Sequence, residues 1–442
     1  MKRADLDWKH ILFALLLAIL CLIAGSDAYA GGPRWTAGSS YFNSSAKGKP
    51  IVWANGQVGY YVDLGNLSAS VNQSQAKTMI SNAAAVWNAV ATAAVKITAK
   101  GSLSEDVNGT NVTTGPNGVT MPADIQPTAT TRPVAIVLDA DGSVINAFYG
   151  AGASSAASCQ QNGVITMVDN LATSGNIAHA LMLINGLCAT NATQIAVLQY
   201  QLIRGFGRVL GLDWSQTNEE MFLNNQITSE GLTGWPILHP IERLCNQTGK
   251  ACMPNSSTLR LDDIAALNRV YPVTPANIAS FTGKKLTAQN TVSVQGRIQF
   301  KRGQGMQGVN AVLRPMIPGT DLPDIRFTVT AVSGASFQGN VGNVITGISD
   351  PQGNPLNRFG TDDETVEGFF DLSGAPLPTG QTTANYQLTF EAINPLYTAG
   401  ASVGSYTTGQ VTPSGTMPTV FLPDLAAGSS VYQIVSVGNS AD

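Results

Sequence analysis

Charge is scarce in this sequence of 442 residues: only 12% of them are charged, and the formal net charge is −4. No run of basic residues is longer than a pair. Proteins that bind nucleic acid or anionic membrane surfaces carry clustered Lys and Arg on one face. We therefore expect no nucleic acid and no anionic membrane surface among the partners of this protein.

Long hydrophobic runs are also rare, and the longest is ILFALLLAILCLI at residues 11–23. It is shorter than the roughly 20 apolar residues that a membrane-spanning helix requires. Basic residues precede it, and Ala28 and Ala30 follow it in an A-x-A pattern. This order predicts a secretory signal peptide over residues 1–30, with an uncleaved membrane anchor as the alternative. After cleavage we expect no membrane insertion and a secreted or cell-envelope location.

The sequence contains three histidines, His10, His179 and His239. His10 lies in the predicted signal peptide, so the mature chain keeps the other two. A zinc site with three histidine ligands therefore cannot form within one mature chain. His179 lies in an apolar strand-like stretch and His239 stands beside Pro240, so both are predicted to be buried structural residues.

Signatures of phosphate and calcium binding are missing or incomplete. No G-x-x-x-x-G-K-[ST] loop occurs, which argues against P-loop nucleotide enzymes. The stretch DADGSV places Asp139 and Asp141 near Gly142, as calcium loops do, but the twelve-residue ligand series is absent. A turn between two strands is favoured there, and calcium is the alternative.

Four cysteines remain after the predicted cleavage, namely Cys159, Cys188, Cys245 and Cys252. An even number of cysteines in an exported chain favours disulfides. Cys245 and Cys252 close a short loop and are expected to pair, which leaves Cys159 to pair with Cys188. Free thiols and a cysteine-bound zinc are the alternatives, although no C-x-x-C spacing supports the zinc.

Alternating strand-like and helix-like patterns predict an α/β domain over residues 31–275. Runs with strand composition occur at 57–63, 95–99, 133–139, 163–169 and 176–186. Apolar residues spaced by three and four predict helices at 70–95, at 193–210 with Thr193 as N-cap, and at 259–273. Gly211 is expected to end the second of these helices, because glycine adopts the left-handed conformation without steric cost.

The pattern changes after residue 281, where short strand-like runs alternate with turns rich in Gly and Pro. Within one of them, Tyr386, Leu388, Phe390 and Ala392 alternate with polar residues. A two-residue period predicts a strand with one buried face. We therefore expect an all-β sandwich over residues 281–442.

The helix that ends at Gly211 carries an unusual pattern, RGFGRVLGLDW at residues 204–214. Its framework resembles the H-E-x-x-H-x-x-G-x-x-H motif of the metzincin zinc proteases, and in particular of their matrixin branch. In that motif three His bind zinc, the Glu is the general base, and the Gly turns the chain. The residues that stand at the motif's five fixed positions here are, in order, Arg204, Gly205, Arg208, Gly211 and Trp214.

The resemblance extends over residues 57–273. The segment with Trp87 resembles the family's opening strand and first helix, and LRLDDIAALNRVYPV at 259–273 resembles its closing helix. GWPILHP falls where the family has its Met-turn, with Leu238 in place of the methionine. The resemblance implies a metzincin-like α/β fold, with a mixed twisted sheet and long helices. The part after residue 281 more loosely resembles carboxypeptidase-regulatory-like sandwich modules.

The substituted residues remove the zinc chemistry that the family would imply. Arg204 and Arg208 carry only hydrogen-bond donors and cannot ligate a cation. Trp214 offers no available lone pair, and Gly205 supplies no base. The resemblance therefore implies an exported metalloprotease homologue without an intact catalytic or metal site, which binds a peptide or protein ligand. We expect no cofactor. Zinc would need rearranged ligands, such as His179, His239 and Asp213.

The arginine pair breaks local rules and admits two interpretations. Like charges four residues apart oppose helix formation, and Gly205 costs about 1 kcal/mol relative to alanine. The guanidinium groups either pair with Asp213, Glu219 or Glu220 and fill the space of the lost metal, or form a cradle for a peptide carboxylate. Two other functions remain as alternatives: an active zinc metalloendopeptidase with rearranged ligands, and a structural cell-surface protein.

Overall fold

The computed structural model of the chain describes residues 32–38, 41–116, 118–218, 221–222, 226–245, 249, 252–336, 363–393 and 417–438. The predicted signal peptide lies outside these ranges, and so do Glu219 and Glu220. Among the described residues, no helix has both the length and the apolar character needed to cross a membrane.

The first part of the chain is built on a six-stranded sheet. The strands up to residue 185, including a separate hairpin of β4 with β5, are β1 (Val52–Trp53), β2 (Gln57–Val62), β3 (Lys96–Ser102), β4 (Thr113–Gly115), β5 (Gly118–Thr120), β6 (Val134–Asp139), β7 (Val164–Leu171) and β8 (Asn176–Asn185). The strands β3, β2, β6 and β8 lie side by side and parallel, and β1 is also parallel to β8. The strand β7 is antiparallel to β8. Every residue of β6 is buried, as expected for a parallel strand covered on both faces.

Helices pack on this sheet and on the part that follows it. They are α1 (Gln73–Asn88), α2 (Ser143–Tyr149), α3 (Cys159–Asn162), α4 (Ala192–Val209), α5 (Ser229–Thr233), α6 (Leu261–Val270) and α7 (Thr287–Asn290). The predicted helix at 70–95 is shorter than expected. Its last residue, Asn88, bonds through its side chain to both backbone groups of Ile97, which turns the chain into β3.

The helix α4 begins and ends at residues with specific caps. Asn191, and not the predicted Thr193, is the N-cap, because its side chain accepts the backbone N–H of Gln194 at 3.0 Å. At the other end, Gly211 has φ +82°. Gly211 donates to the carbonyl of Arg208, and Leu212 donates to the carbonyl of Gly207, which is the Schellman arrangement. This turn sends the chain back along the helix.

Close packing of α4 depends on a glycine in its last turn. The Trp87 indole of α1 donates to the carbonyl of Ile203 at 2.8 Å, which fixes the two helices together. A Cβ added at Gly207 would lie 2.6 Å from Leu238 Cδ2 and 2.7 Å from Trp87 Cζ2. Both neighbours are fully buried. The absence of a side chain at position 207 therefore allows Leu238 to pack beneath the helix.

The second part of the chain is all-β. Its strands are β9 (Ser293–Phe300), β10 (Val309–Pro315), β11 (Val329–Val332), β12 (Phe369–Asp371), β13 (Thr383–Ala392), β14 (Val420–Ala426) and β15 (Ser430–Val437). One sheet has the antiparallel order β11-β10-β13-β14, and the other has the order β12-β9-β15, in which β9 and β15 are parallel. Both sheets contribute to one apolar cluster, where Phe370 meets Phe390 edge to face at 5.7 Å. Tyr386, Leu388 and Phe390 are buried as predicted, whereas Ala392 at the end of β13 is only half-buried.

The helix α6 belongs to both parts of the structure. Leu261 and Ala265 lie in the apolar cluster of the two β sheets, whereas Leu267 lies in the core of the α/β part. The buried carboxylate of Asp262 accepts the backbone N–H and the hydroxyl of Thr330 at 2.7 and 2.9 Å. The two parts therefore meet across a buried and polar contact, and not through a linker alone.

Both predicted disulfides are present. Cys159 at the start of α3 is bonded to Cys188, which follows β8, with 5.5 Å between their Cα atoms. Cys245 is bonded to Cys252 and closes a short loop. The first bridge ties α3 to the end of the sheet, next to the cleft described below.

Replacement of Gly207 by alanine tests the packing of α4. Alanine favours a helix by about 1 kcal/mol, but overpacking a tight core costs roughly 1–3 kcal/mol. We expect the free energy of unfolding to fall by about 1–2 kcal/mol, measured by urea unfolding with tryptophan fluorescence. Ala196→Gly, at an exposed position of the same helix, is the control. Its free energy of unfolding should fall by about 1 kcal/mol, which is the difference in helix propensity alone. A more stable Gly207→Ala variant would contradict the packing.

Candidate functional site

A cleft of about 540 Å³ lies between the start of β7 and the C-terminal half of α4. The residues Val164, Ile165 and Thr166 line it from the strand, and Arg204 and Arg208 line it from the helix. Its remaining walls come from α3, from Arg34 near the start of the described chain, from Trp214, and from residues 240–242. The structure thus brings the sequence-predicted site residues of α4 to one cavity.

Arg204 is buried and held by acceptors from the loop before α6. Its Nη1 donates to the carbonyl of Ile237 at 3.0 Å and to that of His239. Its Nε lies 3.3 Å from a carboxylate oxygen of Glu242. The partner of Arg204 is therefore Glu242, which the sequence analysis did not identify, whereas Glu219 and Glu220 lie outside the described residues.

Arg208 is held by the turn that follows its own helix. Its Nη1 donates to the carbonyl of Leu212 at 2.8 Å and to a carboxylate oxygen of Asp213 at 2.7 Å. Asp213 was one of the predicted partners. Burial raises the pKa of Asp213 to about 6, and the neighbouring Arg208 acts in the opposite direction. Burial also disfavours the charged form of Arg208 and lowers its pKa, and Asp213 opposes this shift.

Trp214 lies against both arginines. Its ring centroid is 4.9 Å from the Cζ of Arg204 and 4.3 Å from the Cζ of Arg208. Such contacts between a guanidinium and an aromatic ring are attractive and restrict the side chains further. Arg204, Arg208 and Trp214, which the resemblance aligns with zinc ligands, therefore converge in space, but their side chains stack on one another.

Gly205 stands where the helix approaches β7. An added Cβ would lie 2.9 Å from Val164 Cγ1 and 3.2 Å from Met182 Cε. Val164 is β-branched and has little freedom to move away. The close contact of helix and strand thus leaves little room for a side chain at position 205, which the resemblance aligns with a general base.

The loop at residues 237–238, which the resemblance aligns with the Met-turn, is held by a single carboxylate. Asp263 of α6 accepts the backbone N–H groups of Ile237, Leu238 and Arg260 at 2.8–2.9 Å. Burial raises the pKa of Asp263 to about 6 although these three donors oppose the shift. Leu238 itself is buried beneath Gly207.

His179 and His239 are buried, each with a polar contact of its own. The Nε2 of His239 lies 2.9 Å from the carbonyl of Thr217, and its Nδ1 lies 3.1 Å from the backbone nitrogen of Ile241. The Nδ1 of His179 lies 2.6 Å from Asp169. Within the described ranges, no three His, Cys, Asp or Glu residues are grouped as metal ligands. The structure therefore does not bring His179, His239 and Asp213 together.

The candidate calcium stretch caps a helix. The carboxylate of Asp139 accepts the backbone N–H groups of Val144 and Ile145, and Asp141 accepts that of Ser143. These are the donors that the first turn of α2 leaves without helical partners. The predicted turn therefore connects a strand to a helix, and not two strands as expected.

The strand β7 offers a backbone edge to the cleft. Within the described part of the chain, β7 pairs only with β8. The N–H of Asn185 bonds to the carbonyl of Gly163. Because antiparallel bonding alternates along a strand, Ile165 and Met167 bond to β8, and the backbone groups of Thr166 point away from it.

Arg34 is the residue of the cleft that sequence reasoning missed. Its backbone N–H donates to the carbonyl of Gly211 at 2.7 Å, which places the first described residues alongside the turn after α4. Burial, and then the proximity of Arg208, lowers the pKa of Arg34 to about 9. The one local signal was an arginine in an otherwise uncharged stretch, which does not reveal a contact across 170 residues or more.

Comparisons with known proteins do not identify a family. No protein-family model matches the chain, and no curated protein matches it. Among solved structures, (S)-allantoin synthase is similar at 14% identity over 57% of this chain and 82% of its own, with a TM-score of 0.15. Glycoside Hydrolase Family 15 glucoamylase from Hypocrea jecorina is similar at 12% identity over 67% of this chain and 37% of its own, with the same TM-score of 0.15. Neither likeness indicates a shared fold.

His239 should make stability depend on pH. Burial lowers its pKa to about 3, whereas an unfolded histidine titrates near 6.5. The stability that this residue contributes is therefore complete above pH ~6.5 and is lost as the pH falls towards 3. Relative to a His239→Gln variant, we expect the wild type to lose about 2 kcal/mol of unfolding free energy between pH ~7.5 and pH ~5. Urea unfolding of both proteins at each pH measures this, and a constant difference between them would contradict the buried neutral imidazole.

Proposed function

We propose that this chain is an exported matrixin-like homologue of the metzincin proteases that has lost its zinc ligands and general base. In this proposal the cleft beside α4 binds an extended segment of a peptide or protein without cleaving it. The observation that carries the proposal is the cleft itself, where the backbone edge of β7 faces two arginines at the positions of zinc ligands.

The contacts among the resembling segments support the relationship to metzincins. The segments lie far apart in sequence, yet they meet around α4: Trp87 bonds to Ile203, and Leu238 packs under Gly207. Asp263 of the closing helix bonds to Leu238 and its neighbour. A chance likeness of one helix would not predict that the other segments pack against that helix.

The chemistry of the cleft floor supports a binding role over catalysis. Guanidinium groups offer donors and no lone pair to a cation, and Arg204 and Arg208 are already engaged by carbonyls and carboxylates. A metal ion placed there would face two positive charges in a buried setting. Such a floor favours ligands that accept hydrogen bonds.

The edge of β7 supports a peptide as the ligand. An extended peptide can add a strand to an open sheet edge, where backbone hydrogen bonds give affinity with little sequence preference. Thr166 presents its N–H and C=O groups at the cleft. The two disulfides agree with an oxidising compartment, and so with export.

Zinc content tests the relationship and the loss of chemistry together. We expect the untouched protein to bind no stoichiometric zinc and to leave casein uncleaved. The variant Arg204→His, Arg208→His, Trp214→His should bind about one zinc per chain, because these side chains converge and imidazole is a zinc ligand. Gly205 is retained because a side chain would press on Val164. Metal analysis of both purified proteins is the measurement.

Two outcomes would contradict this account. The first is zinc in the untouched protein that a chelator removes together with casein cleavage. This result would show that the chain is an active zinc protease. A triple variant that keeps its circular dichroism spectrum but takes up no zinc would show that the alignment of the motif is wrong.

A proline at the edge of β7 tests peptide binding. Thr166→Pro removes the outward N–H and leaves the bonds of Ile165 and Met167 to β8 in place. We expect this variant to retain about tenfold less of a random heptapeptide library than the wild type, measured by affinity capture and mass spectrometry. Thr166→Val keeps the N–H and the shape of the side chain, so it is the matched control and should bind as the wild type does. Equal retention by both variants would exclude strand addition at this edge.

A further inference from the structure

Three guanidinium groups line the floor of the cleft. They belong to Arg34, Arg204 and Arg208; Glu242 lies against Arg204, and Asp213 lies against Arg208. These guanidinium groups oppose one another electrostatically: Arg208 lowers the pKa of Arg34, and Arg204 lowers that of Arg208. Burial acts against these charges, lowering the pKa of Arg208 and raising that of Glu242. A bound anion would therefore stabilise the floor.

The guanidinium groups of Arg204 and Arg208 are fixed in place before any ligand arrives. Each is anchored through Nη1 to backbone carbonyls, and Trp214 packs against both. Their side chains are only 9% and 6% exposed, respectively. Ligand binding therefore costs these two side chains little conformational entropy, whereas mobile surface arginines lose more when they are immobilised.

Donor capacity remains on the cleft side of both groups. Among the described residues, the hydrogen bonds of both groups run from Nη1, and none runs from the Nη2 atom of Arg204 or Arg208. Neither atom is among the fully enclosed polar atoms that lack a partner, so solvent reaches both. Two directed donors therefore face the cavity next to the edge of β7.

We propose that this floor recognises a carboxylate of the bound peptide, which accepts hydrogen bonds from the Nη2 groups of Arg204 and Arg208. The inference rests on the proposed function, because the peptide backbone lies along β7 while its carboxylate reaches the arginines. A carboxylate has two oxygens that match the forked geometry of guanidinium donors. It comes either from the C-terminus of the peptide or from an Asp or Glu side chain.

Two forms of one peptide library separate these sources. The random heptapeptides are prepared once with a free C-terminal carboxylate and once with a carboxamide, and each pool is captured on the immobilised full-length mature chain. We expect about tenfold higher retention of the free-acid pool if the C-terminus is read. If a side chain is read, the retained peptides of both pools should be enriched about tenfold in Asp and Glu.

A conservative variant ties the preference to the arginines. Arg208→Lys keeps a charge beside Asp213 but lacks the second nitrogen of the fork, so it should lose the carboxylate preference while retaining peptide through β7. Arg302→Lys, at an exposed site in the β-rich part, is the matched control and should keep the preference. Circular dichroism and thermal melting establish that both variants are folded.

The outcomes distinguish the two proposals. Retention of both pools without any preference for carboxylate, or a preference that Arg208→Lys leaves intact, would overturn the inference and leave peptide binding standing. Retention of neither pool would overturn the proposed function, and the inference with it.

Discussion

Two guanidinium groups buried in the floor of a cleft constrain the structure around them. A buried charge without partners costs several kcal/mol, so each arginine must be surrounded by acceptors. The carbonyls of Leu212, Ile237 and His239 meet this demand together with two carboxylates. The loops on both sides of the cleft are thereby set by the arginines, in the way that a metal ion would set its ligands.

The turn after α4 makes this arrangement possible. Gly211 reverses the chain, which returns Asp213 to Arg208 and lays Trp214 over both guanidinium groups. The first described residues reinforce the turn, because Asp213 donates its N–H to the carbonyl of Gly32. Position 211 therefore matters to the site for its backbone conformation, which a residue with a Cβ adopts only with strain.

Local patterns predicted most of the secondary structure, because the spacing of apolar residues and the conformational freedom of glycine determine helices and strands over a few residues. The five predicted strands and three predicted helices of the first part have counterparts near the expected positions. The boundary errors have local causes as well: Asn88 ends α1 by bonding to Ile97, and Asn191 caps α4 ahead of Thr193. Asp213 was identifiable as a partner because it lies within the same turn as Arg208.

Long-range partners could not be predicted in the same way. Glu242 and Arg34 reach the cleft from distant parts of the chain, and their neighbouring residues do not reveal this contact. Gly205 looked like a lost catalytic base, whereas the structure also gives it a packing role against Val164, a contact that depends on how α4 lies on the sheet. The relationship to metzincins rests on separated motifs and their mutual contacts, and remains a proposal.

The position of α6 has a consequence for how the chain can be divided. Its apolar residues Leu261 and Ala265 are covered by the sheets of the β-rich part, and Asp262 is bonded there to Thr330. The neighbouring Asp263 holds the loop beneath the cleft through three backbone bonds. A cut between residues 275 and 281 would thus remove the apolar cover of the helix that supports the floor of the cleft. The β-rich part therefore stabilises the first part of the chain and does not form an independent unit.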